Sequence, residues 1–293
     1  MSMNVAINVF SVNKQLNEDY FGTLEGLARI GYRYVELIAT DMSKKRFSDT
    51  ITAKELKKKL ANLNLTPIAS HEGLAPGLKL EDLNWEFIIP YNVEVGIQRI
   101  VLPSLRITSR EEALRMAEKL NIIGTKCHNE GIQFYIHNHA LEFKPEGEST
   151  LFHLLLDHTD PKYLKVELDL AWVLRGNCDP IHLLNQLGER CDLVHQRDIN
   201  KHLNYPLNIF EELTEVDYKL AYHEVHMKYR KPDMFVDLGA GSFDFERVYG
   251  KIQELGYVKY TIVESDGDRE DKYRSLENDL KLLKQYVGDE ARY

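Results

Sequence analysis

The chain has 293 residues, 43% hydrophobic and 28% charged, the make-up of a soluble globular protein with one large domain or two ordinary ones. Its net charge of −9 opposes a nucleic-acid partner, because phosphate binding relies on clustered cations. The one dense basic run, Lys44-Lys45-Arg46, reads as a solvated loop.

Eight β-rich runs follow in chain order, each succeeded by a segment with helical spacing. They are NVAINVF from Asn4, YRYVELIA from Tyr32, LTPIAS from Leu65, QRIVLP from Gln98, QFYIHNH from Gln133, LKVELDL from Leu164, CDLVHQRD from Cys191 and KYTIVESD from Lys259. Most are near-continuously apolar, as strands buried on both faces should be. Between them, Thr52 with Glu55 and Ser109 with Glu112 match capping boxes, and Asp179-Pro180 supplies an N-cap with proline at the first helical position. Leu276, Leu280, Leu283 and Val287 form one apolar stripe on a last helix. Glycines 31, 131 and 256 fall where helices should stop.

Strands recurring about every 30 residues, eight times, predict a single (β/α)8 barrel, an α/β fold, over residues 1–293. The one long interval predicts an insertion at about 199–234 between strands 7 and 8. Cys127, Cys178 and Cys191 are too widely spaced for a zinc knuckle or redox motif, so buried free thiols are expected. With no basic leader and no apolar stretch long enough for a bilayer, the expected location is cytoplasmic, with no membrane partner.

Reactive groups of such barrels lie at the C-terminal strand ends. Those ends carry Glu36, His71, His137, His139, Asp169, His195 and Glu264, whereas the strand starts carry residues such as Asn4, Leu65 and Gln98. Alternation points Glu167 with Asp169, and His137 with His139, into the interior. Unpaired charges there cost several kcal/mol each, and one divalent cation would compensate them. Carboxylate and imidazole donors suit Mn, Co, Zn or Fe, with Mg also admissible.

The motifs HNHALEF (137–143), ELDLAW (167–172), HQRD (195–198), GAGSFDF (239–245) and VESD (263–266) together resemble the xylose isomerase-like barrel superfamily, within it the sugar phosphate isomerase/epimerase group. The resemblance implies one metal held by Asp169, His195, Glu264 and a fourth ligand. That ligand is either His137, where many relatives carry glutamate, or Glu142 folding back; Glu142 is preferred because it keeps two anionic carboxylates on the ion. It also implies proton abstraction α to a carbonyl of a sugar, keto-sugar or cyclitol through a metal-stabilised enediolate. Glu264 with His137, His139 or Glu142 would serve as base and acid. Glu36, His71, Trp172, Arg197 and His226 are expected to contact this small-molecule carbohydrate substrate. A dehydratase or lyase of a keto-sugar or inosose would need the same pair of groups.

Blander readings stand beside these. Glu36 and His71 could simply pair with each other, Glu167 could pair structurally with Arg197, and Gly239-Ala240-Gly241 reads as a tight turn as readily as a phosphate cradle. His128, His153, His158 and His182 fall in helical segments and read as satisfied surface residues, and no second set of metal ligands is evident. A DNA-repair activity of the endonuclease IV type is opposed by the charge and by Trp172 three residues after Asp169. A sugar-binding barrel without activity is opposed by the intact ligand set. Barrels of this type often pair, so a homodimer is compatible.

Overall fold

The computed structural model describes residues 3–39, 51–73, 79–265 and 269–287. The basic run at 44–46 and the last residue of the VESD motif lie outside them. Eight parallel strands close on themselves: β1 Asn4–Asn8, β2 Tyr34–Ala39, β3 Thr66–Glu72, β4 Arg99–Leu102, β5 Gln133–His137, β6 Leu164–Asp169, β7 Leu193–Gln196 and β8 Tyr260–Val263. The spatial order follows the chain, and β1 closes the ring against β8 with Ile7 opposite Val263.

The expected helix signals operate locally. Thr52 and Ser109 each accept the N–H three residues on, and the Asp179 carboxylate accepts those of Ile181 and His182. The carboxylate of Glu112 turns instead to the Thr108 N–H. Gly256 ends its helix with φ +69. All four residues of the last apolar stripe are buried, although that helix closes at Leu283, before Val287.

Two apolar layers result. Leu24, Leu56, Leu120 and Leu155 pack between strands and helices, while Ala6, Ala69, Val101, Tyr135, Leu193 and Ile262 fill the barrel axis. At the N-terminal end Asp192 closes the axis, accepting Tyr135 Oη at 2.7 Å and pairing with Lys165 and Lys259. The titratable residues His71, His137, Asp169, His195 and Glu264 lie at the opposite, C-terminal strand ends. Between β2 and β3 the register shifts at Val35/Glu36, an irregularity of the kind that re-aims a side chain.

The segment after β7 leaves the barrel through an antiparallel pairing of Asp198–Ile199 with Phe235–Val236. Within the excursion lie short turns and one helix, Tyr222–Tyr229. It has its own small core of Trp172, Ile209, Val225, Tyr229, Met234 and Phe235. Arg106 binds it through the Tyr218 and Leu220 carbonyls at 2.7 and 3.0 Å. Arg175, buried, reaches the Leu207 carbonyl at 2.8 Å and Glu212 at 2.6 Å. The glycine-rich run that follows is wrapped around a side chain: Asp198 accepts the N–H groups of Gly239, Gly241 and Phe243, each at 2.9 Å. That anion already belongs to the protein, which favours the turn reading over a phosphate cradle.

Candidate active site

Asp169 ends β6 and starts the helix Leu170–Arg175, its Oδ1 capping the N–H groups of Ala171 and Trp172 at 3.0 and 2.9 Å. Its other oxygen accepts Arg197 Nε at 2.8 Å. The end of β5 is locked to it, because Asn138 accepts the Asp169 N–H at 2.9 Å and donates to the Asp169 carbonyl at 3.3 Å. That lock sets His137 beside Asp169, Nε2 to Oδ2 being 3.7 Å. His195 of β7 and Glu264, just past β8, complete the group, with His195 Nδ1 2.8 Å from Glu264 Oε2. One donor atom from each of His137, Asp169, His195 and Glu264 lies within 4.8 Å of the others, and all four residues are buried.

The donor chemistry fits a divalent cation on an observation independent of the spacing. Both ring nitrogens of His137 are buried and have no hydrogen-bond partner among the described residues. A buried imidazole without a partner is costly unless something else takes its lone pair. Two imidazoles and two carboxylates form a set suited to Mn, Co, Zn or Fe.

Glu142 is not in this group. It lies in the turn Leu141–Phe143 and folds back onto backbone, Oε2 accepting the His139 N–H at 3.2 Å. Burial pushes its carboxyl up to about 7, against the pull of these amides. The structure thus brings together His137, the other candidate for the fourth position.

Below lies a second group, Glu36, His71, Glu167 and His195, again with donor atoms within 4.8 Å. His71 Nε2 stands 3.1 Å from Glu36 and 2.8 Å from Glu167. The pairing of Glu36 with His71 is therefore present. The expected pairing of Glu167 with Arg197 is not: Arg197 sits a layer higher, bound to Asp169 and, at 2.6 Å, to Glu264 Oε1. A second set of possible ligands, not evident from sequence, is also present.

Electrostatics follow from these contacts. Burial would raise the carboxyls of Asp169 and Glu264, but Arg197 foremost among their neighbours holds both below the usual carboxylate range. Burial would lower His71, yet Glu36 and Glu167 carry it up to about 10. His139 is held well below the ordinary histidine range, by burial first and then by His137, so it is neutral. Burial also takes His226 down to about 4, aided by Arg230 and Arg197.

The pocket above the upper group is walled by rings. His139 packs within 5.1 Å of Trp172 and His226 and 5.6 Å of Tyr222, centroid to centroid. Trp172, Tyr222, His226, Arg197 and Glu264 line it with His71 and His137, whereas His223 on the same helix is exposed. Tyr222 and His226, both in the insertion, stand at i, i+4 spacing, which places them on one helix face.

The chain matches the family described as xylose isomerase-like TIM barrel over residues 24–286. It belongs to that family. An inosose dehydratase of Lacticaseibacillus casei is 25% identical over 160 residues, 54% of this chain and 48% of that protein. The chain thus aligns with about half the length of this curated relative. A sugar phosphate isomerase/epimerase from Parabacteroides distasonis superposes with a TM-score of 0.74 at 24% identity, covering 98% of this chain and 96% of that one. A probable 3-DHS dehydratase from Bacillus anthracis superposes at 0.72 and 14%, covering 96% and 99%. At these identities the structural likeness establishes the fold alone.

Proposed function

We propose that the chain is a divalent-metal-dependent enzyme that removes a proton α to a carbonyl of a sugar, keto-sugar or cyclitol, with isomerisation or epimerisation as the outcome. The observation that carries this is His137, a buried imidazole without a hydrogen-bond partner among the described residues, standing among Asp169, His195 and Glu264. When bound there, the dication would stabilise negative charge developing on substrate oxygen.

The chain's own groups supply the rest. Glu264 is kept ionised by Arg197, so it is in its basic form throughout the neutral range, and it borders the pocket. His139, on the far side of β6 and β7 from Glu264, is neutral and has a buried Nδ1 without a partner among the described residues. A neutral imidazole there is suited to take a proton from a second direction, and to return one only after it has gained it from substrate or solvent. Trp172, Tyr222 and His226 offer the apolar wall against which a sugar ring can lie while excluding water.

Dehydration is the second reading, favoured by the relative named inosose dehydratase. It shares the first proton transfer and differs in expelling a β-hydroxyl. Incubation of the zinc- or manganese-loaded chain with pooled keto-sugars and inososes in deuterium oxide tests both. Deuterium at the α-carbon of recovered isomers supports the first reading, and loss of water with a new enone-type absorbance supports the second. Isomerised or epimerised product with no solvent deuterium at the α-carbon contradicts the proton-transfer scheme.

A further inference from the structure

We infer that Glu36 and Glu167 are positioning residues for His195, holding its Nε2–H so that its Nδ1 is the atom presented to the upper group. The inference rests on the metal reading above. His195 Nε2 lies 2.7 Å from Glu36 Oε2 and 3.1 Å from Glu167 Oε2. A bare nitrogen there would set its lone pair against two carboxylates, so Nε2 carries hydrogen. Without an ion Nδ1, which faces the Glu264 carboxylate at 2.8 Å, carries a hydrogen as well; a bound cation would displace that hydrogen and take the Nδ1 lone pair, because Nε2–H stays held from below.

His71 obeys the same logic one ring away. It stacks on His195 with centroids 5.4 Å apart and planes 9° from parallel. Two imidazoles thus share two carboxylate oxygens through contacts of 2.7 and 2.8 Å and two longer ones of 3.1 Å. Two short and two long contacts are what a single Nε2–H on each ring produces. Glu36 is itself fixed, accepting Asn8 Nδ2 at 2.8 Å, and the Asn8 amide is oriented by the Phe10 N–H on its Oδ1 at 2.7 Å. Asn8, Glu36, Glu167 and His195 are fully buried, which closes this floor to solvent. In the upper group both ring nitrogens of His137 lack a hydrogen-bond partner among the described residues; in the lower group both Nε2 atoms have one and only the outer oxygens, Glu36 Oε1 and Glu167 Oε1, lack one, which favours orientation over a second ion. Carboxylates behind a metal-binding histidine fix its tautomer and raise its basicity, and losing one weakens metal affinity about 10- to 100-fold.

The test uses the full chain loaded with zinc. A long-range nitrogen–proton spectrum of histidine-labelled protein should show His195 protonated at Nε2 and metal-shifted at Nδ1; the opposite tautomer overturns the inference, and this reading needs no variant. Glu36→Gln and Glu167→Gln should each weaken zinc binding at least 10-fold by chelator competition, still with one zinc per chain. Unchanged zinc affinity in both variants, whatever happens to their melting temperatures, marks a merely structural role and overturns it. Two zinc ions per wild-type chain, falling to one in Glu167→Gln, overturns it in favour of a second ion in the lower group. Wild-type protein that binds no zinc, manganese or cobalt refutes the metal reading itself, and the inference with it.

Discussion

His137 and Asp169 face each other across the ends of β5 and β6, Nε2 3.7 Å from Oδ2, too far for a hydrogen bond and close enough to share an ion. His137→Ala and Asp169→Asn should each leave the purified protein with less than about a tenth of the wild-type metal content. Glu142→Gln should keep its metal, since Glu142 lies outside the ligand group and its Oε2 is held by the His139 amide. Elemental analysis decides: full occupancy in His137→Ala, or metal lost in Glu142→Gln, reverses the assignment of the fourth ligand.

The aromatic wall should govern substrate affinity rather than metal content. Trp172→Leu and His226→Ala remove rings that pack 5.6 Å apart over the pocket. Each is expected to raise KM about 10-fold, equivalent to roughly 1.4 kcal/mol, with kcat changed less. A selective fall in kcat at constant KM would instead place these rings in the chemical step.

Asp198 anchors the chain between the insertion and β8 through three backbone amides. Asp198→Ala leaves those amides without their acceptor and should destabilise the fold by on the order of 3 kcal/mol, read from the urea midpoint. Gly241→Ala should act in the same direction, because an added Cβ would run into Asp198 Oδ1 and the Ile199 carbonyl. A neutral effect of both would mean the segment adjusts freely.

Asp279 sets a pH dependence of stability. Burial pushes its carboxyl from 3.8 up to about 7, opposed by the Leu238 N–H it accepts and aided by the charge of Asp237. Between those values the folded chain binds more protons than the unfolded one, so this group's contribution to stability falls as pH rises from about 4 to about 7. Asp279→Asn removes that loss. Its melting temperature relative to wild type should be higher at pH 8 than at pH 5, and a difference independent of pH contradicts the assignment.

The fold was legible because most of the eight strand runs are near-continuously apolar, and burial on both faces demands that pattern. The site was legible where strand ends carry titratable residues, as at His137, Asp169 and His195. What sequence could not give was depth. Alternation aims Glu167 and Asp169 the same way, yet one pairs with His71 and the other with Arg197, a layer apart. Nor does a five-residue separation reveal that the turn Leu141–Phe143 returns Glu142 to the His139 amide. Tyr222 belongs to an insertion whose position over the barrel depends on Arg106 and Arg175, contacts more than 30 residues away in the chain.

The central claim is the location of one ion, and anomalous diffraction from crystals of the manganese-loaded chain measures it directly. A single strong manganese peak is expected at the C-terminal end of the barrel, bounded by His137, Asp169, His195 and Glu264. A peak bonded to Glu142, a peak enclosed by Glu36, His71 and Glu167, or no peak in crystals whose protein binds manganese in solution would contradict it.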